Sequence, residues 1–431
     1  MMTEQMRALS AMMEQSQWRA EKEIKEKQLS HFDALLSHAC QTVPFYRENY
    51  QSLLHQHGNN IHAYPVLTRD IVQAAKDNLV SEKIPETHGG QYQQYTSGST
   101  GKAVRIIATD FTRLFYDAIM LREHNWHQRD LMKKLFSIRW EKRGVGEFPG
   151  IMQNSWGPPV NQYKETGSSI FMNVACSTEN QIDAILYHQP EYILSYPSQF
   201  AALAEYCIDN NILFSFVEEI RSTGETFSDG YKRVINQAWP HVKITDVYSS
   251  VEIGIIAQQC SDGNYHVNAE GVLLEIIDDD GQACQQGRVL VTSLMNYATP
   301  LIRYEIGDYA EWGQPCACGR GLPVIKKIFG RKRNRLYFPN GESRFPYLGE
   351  REDMHRVTTA IRKFQIVQHT KSEIEIKVVV RESIPATVLS KLIKLMQKNL
   401  GYPFDISVTF HDDLPVGPTG KFEEFVTNVT E

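Results

Sequence analysis

The pattern of apolar and polar positions divides the chain into three stretches of different character. Residues 3–40 carry apolar side chains at roughly helical spacing without an internal proline or glycine, which predicts a helical segment that Val43 and Pro44 end. From about residue 90 to 300, short β-rich runs alternate with helical runs. This alternation is typical of a layered α/β domain.

The middle stretch contains several short runs with a clear period. The predicted strands are 134–139, 192–194, 217–221 and 243–248, and the predicted helices are 181–188, 198–210 and 229–238.

The last hundred residues have a different pattern. Residues 373–380 alternate strictly between polar and apolar, and a helix (386–400) and a strand (405–410) are predicted to follow. The chain therefore predicts an α/β fold with two parts. These are a large N-terminal domain (1–332) with β-sheets and helices, including the helical segment 3–40, and a small C-terminal α+β domain (333–431).

Composition narrows the possible partners and location. The 431 residues are 42% apolar and 22% charged with a net charge of −6, which argues against nucleic acid as a main partner. No apolar run reaches the length that spans a membrane, and the charged N-terminus does not resemble a signal peptide. Seven cysteines, an odd number, favour a reducing compartment, so we expect a cytoplasmic protein.

A loop rich in hydroxyls and glycine is the clearest candidate for phosphate binding. Glycines let backbone N–H groups approach an anion, hydroxyls add donors and a lysine adds a positive charge. The spacing is not that of a Walker A loop, because Thr96 replaces its first glycine and Ala103 follows its lysine. The candidate residues are Thr96, Ser97, Gly98, Ser99, Thr100, Gly101 and Lys102.

Further motifs follow this loop in a fixed order. They are 221–226 (RSTGET), 246–254 (DVYSSVEIG), 303–308 (RYEIGD), 330–334 (GRKRN) and 415–422 (PVGPTGKF). The series resembles the adenylate-forming superfamily of acyl-CoA synthetases, luciferases and adenylation domains. Residues 35–39 (LLSHA), 43–47 (VPFYR), 195–198 (SYPS) and 316–320 (CACGR) are similar to the phenylacetate-CoA ligase branch and its capsule-biosynthesis, CapK-like relatives.

The resemblance implies attack of a carboxylate on the α-phosphorus of ATP, giving an acyl-adenylate and pyrophosphate. Charge builds on the phosphoryl oxygens, so such a site needs preorganised donors and a metal ion. The resemblance assigns the β- and γ-phosphates to loop 96–102, Mg²⁺ to Glu252 and the reacting α-phosphate to Lys421. Carboxylate and phosphate oxygens are the ligands that Mg²⁺ prefers.

The resemblance also assigns residues to binding of the adenine and the ribose of ATP. Tyr248 and the turn 224–226 would enclose adenine, with Asp246 near its amino group, while Asp308 would accept from the ribose hydroxyls and Arg331 would reach the ribose or phosphates. The residues assigned to ATP in this way are Gly224, Glu225, Thr226, Asp246, Tyr248, Ser249, Asp308 and Arg331. The resemblance also implies that the C-terminal domain rotates about a hinge at Arg333, which exchanges the adenylation site for a thioesterification site.

Three of the motifs depart from the family pattern and leave the acyl acceptor open. Ser249 and Val251 stand where glycine and threonine are usual, Arg333 replaces a common aspartate, and two glutamates follow Phe422. The leading hypothesis is transfer of the acyl group to coenzyme A, with an aryl acid as a candidate substrate. A second is transfer to an amine, a carrier-protein thiol or a sugar amine. The third is a degenerate protein that binds nucleotide without turnover.

Soft ligands occur in two pieces of the chain. Cys260, His266, Cys316 and Cys318 could close a tetrahedral structural zinc site, and the resemblance supports this because some members of the phenylacetate branch carry a similar cluster. The other interpretation makes Cys260 a small core residue and His266 a surface histidine. Trp126, Tyr163, Phe171 and Tyr196 are candidates for an aromatic acyl pocket or for core positions, and the N-terminal helical segment is a candidate homodimer contact.

Overall fold

The structure is a computed structural model, and it describes residues 3–96, 103–331, 334–348, 351–414 and 422–429. Its helices are α1 (Glu4–Ser16), α2 (Glu21–Thr42), α3 (Pro44–His57), α4 (Arg69–Ala75), α5 (Asp110–Trp126), α6 (Val160–Tyr163), α7 (Thr178–His188), α8 (Pro197–Asn210), α9 (Asp229–Ala238), α10 (Arg351–Val357) and α11 (Ala386–Leu400).

The first ten strands are β1 (Gln91–Tyr95), β2 (Arg105–Thr109), β3 (Leu135–Arg139), β4 (Ile151–Gln153), β5 (Ser169–Asn173), β6 (Tyr192–Ser195), β7 (Glu219–Thr223), β8 (Lys243–Ser250), β9 (Gly254–Gln259) and β10 (Tyr265–Val267). The remaining strands are β11 (Val272–Ile277), β12 (Gln286–Ser293), β13 (Tyr304–Trp312), β14 (Val324–Arg331), β15 (Leu336–Tyr337), β16 (Ser343–Arg344), β17 (Ile361–Gln368), β18 (Glu373–Val380), β19 (Asp405–Phe410) and β20 (Phe425–Thr427).

A twelve-stranded mixed sheet organises the larger part of the chain. Its order is β11-β12-β13-β14-β10-β9-β8-β7-β6-β3-β5-β4, and the strands β8-β7-β6-β3-β5 are parallel to one another. Because parallel strands are connected by crossovers, helices cover both faces of this half. Apolar residues of α7, α8 and α9 pack on one face, and α5 packs on the other with the N-terminal helices.

The N-terminal helical prediction is correct in type but not in continuity. The segment is two helices, because residues 17–20 interrupt it between α1 and α2, and α2 ends at Thr42 as predicted. A third helix, α3, begins directly at Pro44, where proline is tolerated in the first turn. Met6 and Met13 are fully buried, so the apolar face of α1 lies in the core of this chain. A dimer contact through this segment stays a prediction.

The C-terminal part has its own sheet and core. Its four strands have the order β19-β18-β17-β20, and α11 contributes Leu392, Met396 and Leu400 to the apolar core beside them. The predicted elements 373–380, 386–400 and 405–410 match β18, α11 and β19. The predicted α/β class, with a small α+β part after the large one, is confirmed.

Candidate active site

A cleft of about 1030 Å³ opens at the carboxyl ends of β7 and β8. Ligands of α/β sheets gather at this edge because loops there leave the ends of several strands at one place. The N-terminal part lines one side, and Met354, Gln365 and Phe422 of the C-terminal part line the other. The predicted site residues that line it are Thr96, Gly224, Glu225, Thr226, Asp246, Tyr248, Ser249, Glu252 and Asp308.

The hydroxyl–glycine loop begins where a hairpin enters this cleft. Strands β1 and β2 pair antiparallel, and the pairing continues beyond them to Thr96 and Val104. The Thr96 N–H donates to the Val104 carbonyl at 3.0 Å, and the Val104 N–H donates to Thr96 Oγ1 at 2.8 Å. The hairpin therefore holds the loop's first residue firmly. The rest of the prediction, Ser97, Gly98, Ser99, Thr100, Gly101 and Lys102, lies outside the described residues.

Arg69 joins the loop to Glu252. Its Nη2 donates to Thr96 Oγ1 at 2.8 Å, and its Nη1 donates to Glu252 Oε1 at 3.1 Å. Both side chains are largely covered, with 27% of Arg69 and 11% of Glu252 exposed, so solvent screens this ion pair less than a surface pair. Residues 156 positions apart in sequence therefore meet at one guanidinium.

Arg69 is not among the site residues that the sequence predicts. It is the first residue of α4, whose N-cap Thr68 accepts from the Ile71 N–H. Leu67 pairs with the start of β13, where its N–H donates to the Arg303 carbonyl at 3.0 Å and its carbonyl accepts from the Glu305 N–H at 3.0 Å. This pairing directs Arg69 to the cleft. A threonine before a short helix was the available signal, and it indicates a cap rather than a ligand.

Glu252 is held by a second donor and by a tight turn. Tyr304 OH donates to Glu252 Oε1 at 3.3 Å, and burial, followed by the nearby Glu252 charge, raises the pKa of Tyr304. Gly254 has φ +90°, and a Cβ there would lie 2.6 Å from the Tyr116 ring, so the turn after Glu252 requires glycine. No residue in the described part of the chain donates to Glu252 Oε2. That oxygen can accept a cation.

Tyr248 and Asp308 meet across the sheet. Tyr248 ends the buried part of β8, and its hydroxyl donates to Asp308 Oδ2 at 2.9 Å. Asp308 on β13 pairs in register with Arg331 on β14, so both predicted residues lie at the same level of the sheet. The side chain of Arg331 is not among those described.

Asp246 was predicted to lie near the adenine amino group, and its side chain is almost fully buried. It accepts hydrogen bonds from the hydroxyls of Ser222 and Tyr265, the latter at 2.5 Å, and burial raises the pKa of its carboxyl. Two donors on a carboxylate that is only 4% exposed fix its orientation beneath the cleft.

Glu225 links the two parts of the chain. Its Oε2 accepts from the Ser198 N–H at the start of α8 at 3.0 Å, and its Oε1 accepts from the Phe422 N–H at 2.8 Å. Phe422 directly follows Lys421 in sequence. Lys421 and Arg333, the predicted catalytic lysine and hinge, lie outside the described residues.

A second cluster lies away from the cleft. The predicted ligands Cys260, His266, Cys316 and Cys318 offer ligand atoms within 4.8 Å of one another. Cys260 Sγ lies 3.6 Å from Cys316 Sγ, and Cys318 Sγ lies 3.3 Å from His266 Nε2. Zinc–sulfur bonds of about 2.3 Å in a tetrahedron place two sulfurs about 3.8 Å apart, so the spacing fits zinc and is too long for a disulfide.

The surroundings of His266 also suit a metal ligand. The interpretation of His266 as a surface histidine is wrong, because its side chain is fully buried. Its Nδ1 lies 3.3 Å from the Leu322 carbonyl, which leaves Nε2 toward the cysteines. Burial lowers the pKa of His266 to about 4, so the imidazole is neutral. Trp126 packs edge-on to this ring at 5.8 Å and therefore belongs to this cluster rather than to an acyl pocket.

Comparisons with known proteins find similar sequences and similar folds. Residues 352–428 match the CapK C-terminal domain family. Protein CapK of Staphylococcus aureus is 24% identical over 410 residues, an alignment that covers 86% of this chain and 81% of that protein.

Solved structures share the fold over most of its length. 2-Hydroxyisobutyryl-CoA ligase in its postadenylation state, in complex with an acyl-AMP, superposes with a TM-score of 0.71 at 16% identity, covering 96% of this chain and 91% of that one. The same ligase in its thioesterification state, with 2-HIB-AMP and CoA, gives a TM-score of 0.59 at 18% identity with the same coverage. The chain therefore has the fold of these ligases, and its residues 352–428 match the CapK C-terminal domain.

Proposed function

We propose that this chain is an AMP-forming ligase that activates a carboxylic acid with ATP, releases pyrophosphate and passes the acyl group to coenzyme A. The observation that carries the proposal is the Arg69 bridge between Thr96 and Glu252. It brings the start of the hydroxyl–glycine loop to the acidic motif in a cleft that also contains Tyr248 and Asp308. An acid-activating site needs these groups around one triphosphate.

Charged groups of the cleft would bind the phosphates of ATP. Loop 96–102 would bind the β- and γ-phosphates, and Arg69 is placed to add a guanidinium there while it orients Glu252. Glu252 Oε2 would hold Mg²⁺, a cation that proteins commonly bind through one or two carboxylates together with substrate phosphates. When bound, Mg²⁺ would neutralise part of the negative charge of the phosphates. Lys421 would stabilise the charge that develops on the α-phosphate.

Hydrogen bonds would position the ribose and the adenine of ATP. Asp308 would accept from the ribose hydroxyls, with its carboxylate oriented by Tyr248 OH. Adenine would lie between Tyr248 and the turn 224–226, above the fixed carboxylate of Asp246. Arg331 stands beside Asp308 in the strand register, which supports its assignment to the ribose or phosphates.

The second half-reaction would use movement of the C-terminal domain, 333–431, about Arg333. Two described contacts with this domain, the exposed Arg381–Asp209 ion pair and the Phe422–Glu225 hydrogen bond, are of kinds that domain rotation can break. Just after the proposed hinge, Arg335 donates to Tyr309 OH at 2.8 Å and Phe345 stacks on Phe329, so rotation would also have to change or carry these contacts. Coenzyme A is proposed as acceptor because the sequence follows the ligase branch that uses it. An aryl acid is the first candidate substrate on the same ground.

ATP–pyrophosphate exchange with a panel of aryl and alkyl acids tests this proposal. We expect exchange with at least one acid, and Glu252→Gln to reduce it by about 100-fold, since one lost charge contact in such a site costs about 3 kcal/mol. Glu82→Gln, which alters only a surface ion pair with Arg47, is the matched control. Absence of both exchange and ATP binding would contradict an enzyme and also a nucleotide-binding relative without turnover.

The acceptor is decided by product analysis. Coenzyme A, amines, a sugar amine and a carrier protein are offered together with the activated acid. Two acidic residues, Glu423 and Glu424, follow Phe422 and line the cleft, which favours testing a cationic amine acceptor as the second candidate. Exclusive formation of acyl-CoA eliminates that candidate, and an amide product eliminates coenzyme A.

We also propose that Cys260, His266, Cys316 and Cys318 hold a structural zinc ion. The support is the donor set, its spacing and the neutral, buried His266. Zinc there would join the β9–β10 hairpin to the connection before β14, far from the reacting groups. All seven cysteines are free, as expected for the proposed cytoplasmic location. Among the described helices, none has both the length and the apolar character to cross a bilayer.

A further inference from the structure

Asp246 presents a buried carboxylate to the wall of the cleft. It lies on β8 and lines the cleft where the proposed function puts adenine. An ionised carboxylate can only accept hydrogen bonds, whereas a protonated one also donates through its O–H. The orientation and protonation of this one group therefore decide which atoms of a base the wall can bind.

Tyr265 reaches Asp246 from two strands away. Tyr265 on β10 pairs with Gln259 on β9, and Val247, the residue after Asp246, pairs with Gln258 on the same strand. Asp246 and Tyr265 therefore lie at the same level of the sheet with β9 between them, about 10 Å apart at the usual strand spacing. The long tyrosine side chain closes this gap, and its hydroxyl donates to Asp246 Oδ2 at 2.5 Å.

The sheet holds the ring of Tyr265 in place. Strand β10 is only three residues long, but it pairs with β9 on one side and with β14 on the other. Side chains alternate along a strand, so the next residue, His266, points to the opposite face, where it is fully buried. Tyr265 itself is buried and lines the cleft. Its hydroxyl is therefore a preorganised donor rather than a mobile one.

Hydroxyl donors engage both oxygens of the carboxylate. Ser222 donates to Asp246 Oδ1, and Tyr265 donates to Oδ2. Burial raises the pKa of Asp246, and these two hydrogen bonds act against that rise, as do the Val247 N–H and the charge of Lys232. Burial also raises the pKa of Tyr265 well above its usual range, so its hydroxyl keeps its proton and remains a donor. Both hydroxyls therefore favour the ionised carboxylate, which accepts.

Purine bases differ at the atom that would face this carboxylate. Adenine carries an amino group at C6, which donates, whereas hypoxanthine and guanine carry a carbonyl oxygen there, which only accepts. An ionised Asp246 can bind the amino group and repels the carbonyl oxygen. A buried polar group that is left without its partner costs free energy, so a site of this kind discriminates strongly between the two kinds of base.

We infer that Tyr265 is a positioning residue that makes the cleft select 6-amino purine nucleotides over 6-oxo ones, because its hydroxyl holds Asp246 as an acceptor. The inference rests on the proposed function and specifies the base of its nucleoside triphosphate. Without the Tyr265 hydroxyl, the Asp246 carboxylate loses one of its two side-chain donors and can turn or take up a proton. Either change weakens acceptance from an amino group, and the second provides a donor for a carbonyl oxygen.

The test compares three triphosphates that differ only in the base. ATP has the amino group, inosine triphosphate has the carbonyl oxygen, and purine riboside triphosphate has neither. We expect kcat/KM in pyrophosphate exchange to favour ATP over inosine triphosphate by about 100-fold or more in the wild type. Tyr265→Phe should lower this ratio by about 10- to 100-fold, the range for one lost hydrogen bond to a charged group. Ser222→Ala should lower it in the same direction.

Tyr50→Phe is the matched control, because it removes another buried tyrosine hydroxyl. Tyr50 lies on α3, and its hydroxyl donates to the Pro65 carbonyl at 3.1 Å. The ratio in this variant should equal that of the wild type. Calorimetric binding of the three triphosphates in the absence of acid gives the same ratio independently of turnover. Unfolding temperatures of the variants confirm that each one folds.

The outcomes separate the inference from the proposed function. A purely structural role of Tyr265 would weaken use of ATP and inosine triphosphate equally, and an unchanged ratio in Tyr265→Phe therefore overturns the inference while the ligase stands. A wild type that uses both nucleotides equally overturns it too. A binding ratio that falls in Tyr265→Phe, without exchange by any acid, supports the inference and contradicts the ligase. Neither binding nor exchange contradicts both.

Discussion

Single side chains of the cleft act by holding other side chains in place. Tyr248 OH orients Asp308, Tyr304 OH contacts Glu252, and Arg69 contacts both Glu252 and Thr96. Preorganised groups of this kind lower the cost of assembling charge around a ligand. The motifs in the sequence predicted Glu252, Tyr248 and Asp308 as site residues, but not the neighbours Arg69 and Tyr304 that contact Glu252.

Arg69 is the clearest case, and replacing it tests the bridge. Arg69→Met removes the guanidinium while keeping a long side chain, so Thr96 and Glu252 lose their common donor. We expect KM for ATP in the exchange reaction to rise by about 10- to 100-fold, because one charge-assisted hydrogen bond contributes about 1.5–3 kcal/mol. Steady-state exchange kinetics measure it.

Arg47→Met serves as the control for Arg69, since Arg47 forms a surface ion pair with Glu82 at 2.7 Å. It should leave KM for ATP unchanged. An Arg69→Met protein with wild-type kinetics would show that the bridge has no role in nucleotide binding.

At the scale of elements, the end of α5 carries buried histidines that must stay neutral. Burial lowers the pKa of His124 to about 3 and of His127 to about 4. In the unfolded chain both histidines take up a proton as the pH falls below about 6.5, whereas in the folded chain they stay neutral. The unfolded state therefore binds more protons than the folded state below pH 6.5. Their contribution to stability is complete above pH 6.5 and is lost as the pH falls toward 4.

We therefore predict that the free energy of unfolding falls between pH 6.5 and 4.5 by about 1.4 kcal/mol per pH unit for each histidine. Urea unfolding at several pH values measures it. His124→Asn should reduce the slope by the share of one histidine, while His55→Asn, at an exposed position of α3, should not change it. A slope that His124→Asn leaves intact would contradict this assignment.

The cysteine–histidine cluster is a second test at this scale, because it joins separate strands. Cys316→Ser should remove one ligand, abolish zinc binding and lower the unfolding temperature, since metal binding to a structural site adds to folding free energy. Metal analysis of the purified protein and thermal unfolding with and without a chelator measure both effects.

Cys284→Ser is the control for the zinc cluster. Cys284 is half-buried and lies outside the four ligands. We expect one zinc ion per chain in the wild type and in this control. A wild-type protein without zinc, unaffected by a chelator, would mean that the four side chains pack without a metal.

At the scale of the whole molecule, periodic patterns predicted most elements because local apolar spacing reports the buried face directly. Strand β18 and helices α9 and α11 agree with the predicted bounds. The break between α1 and α2 was missed, because no proline or glycine marks residues 17–20. Gln17 is nonetheless fully buried, where its side chain accepts from Trp126 Nε1 at 2.6 Å. Such tertiary contacts leave no local signal.

The site, like the fold, was predicted where the signal is local in the sequence and missed where it depends on tertiary contacts. Motif order predicted which residues share a cleft, but Arg69 and the Glu225–Phe422 contact depend on pairing between distant segments. The two parts are arranged so that residues of both line one cleft. This arrangement brings Phe422, next to Lys421 in sequence, to the edge of the cleft.

We propose that a lysine of the C-terminal tail, Lys421, and the cleft residues act on one bound ATP. Its most direct test is ATP–pyrophosphate exchange by Lys421→Ala, together with ATP binding by calorimetry. We expect exchange to fall by about 100- to 1,000-fold, as for other lost transition-state contacts, while ATP affinity stays within about 10-fold of the wild type. Exchange at the wild-type rate in Lys421→Ala would contradict it.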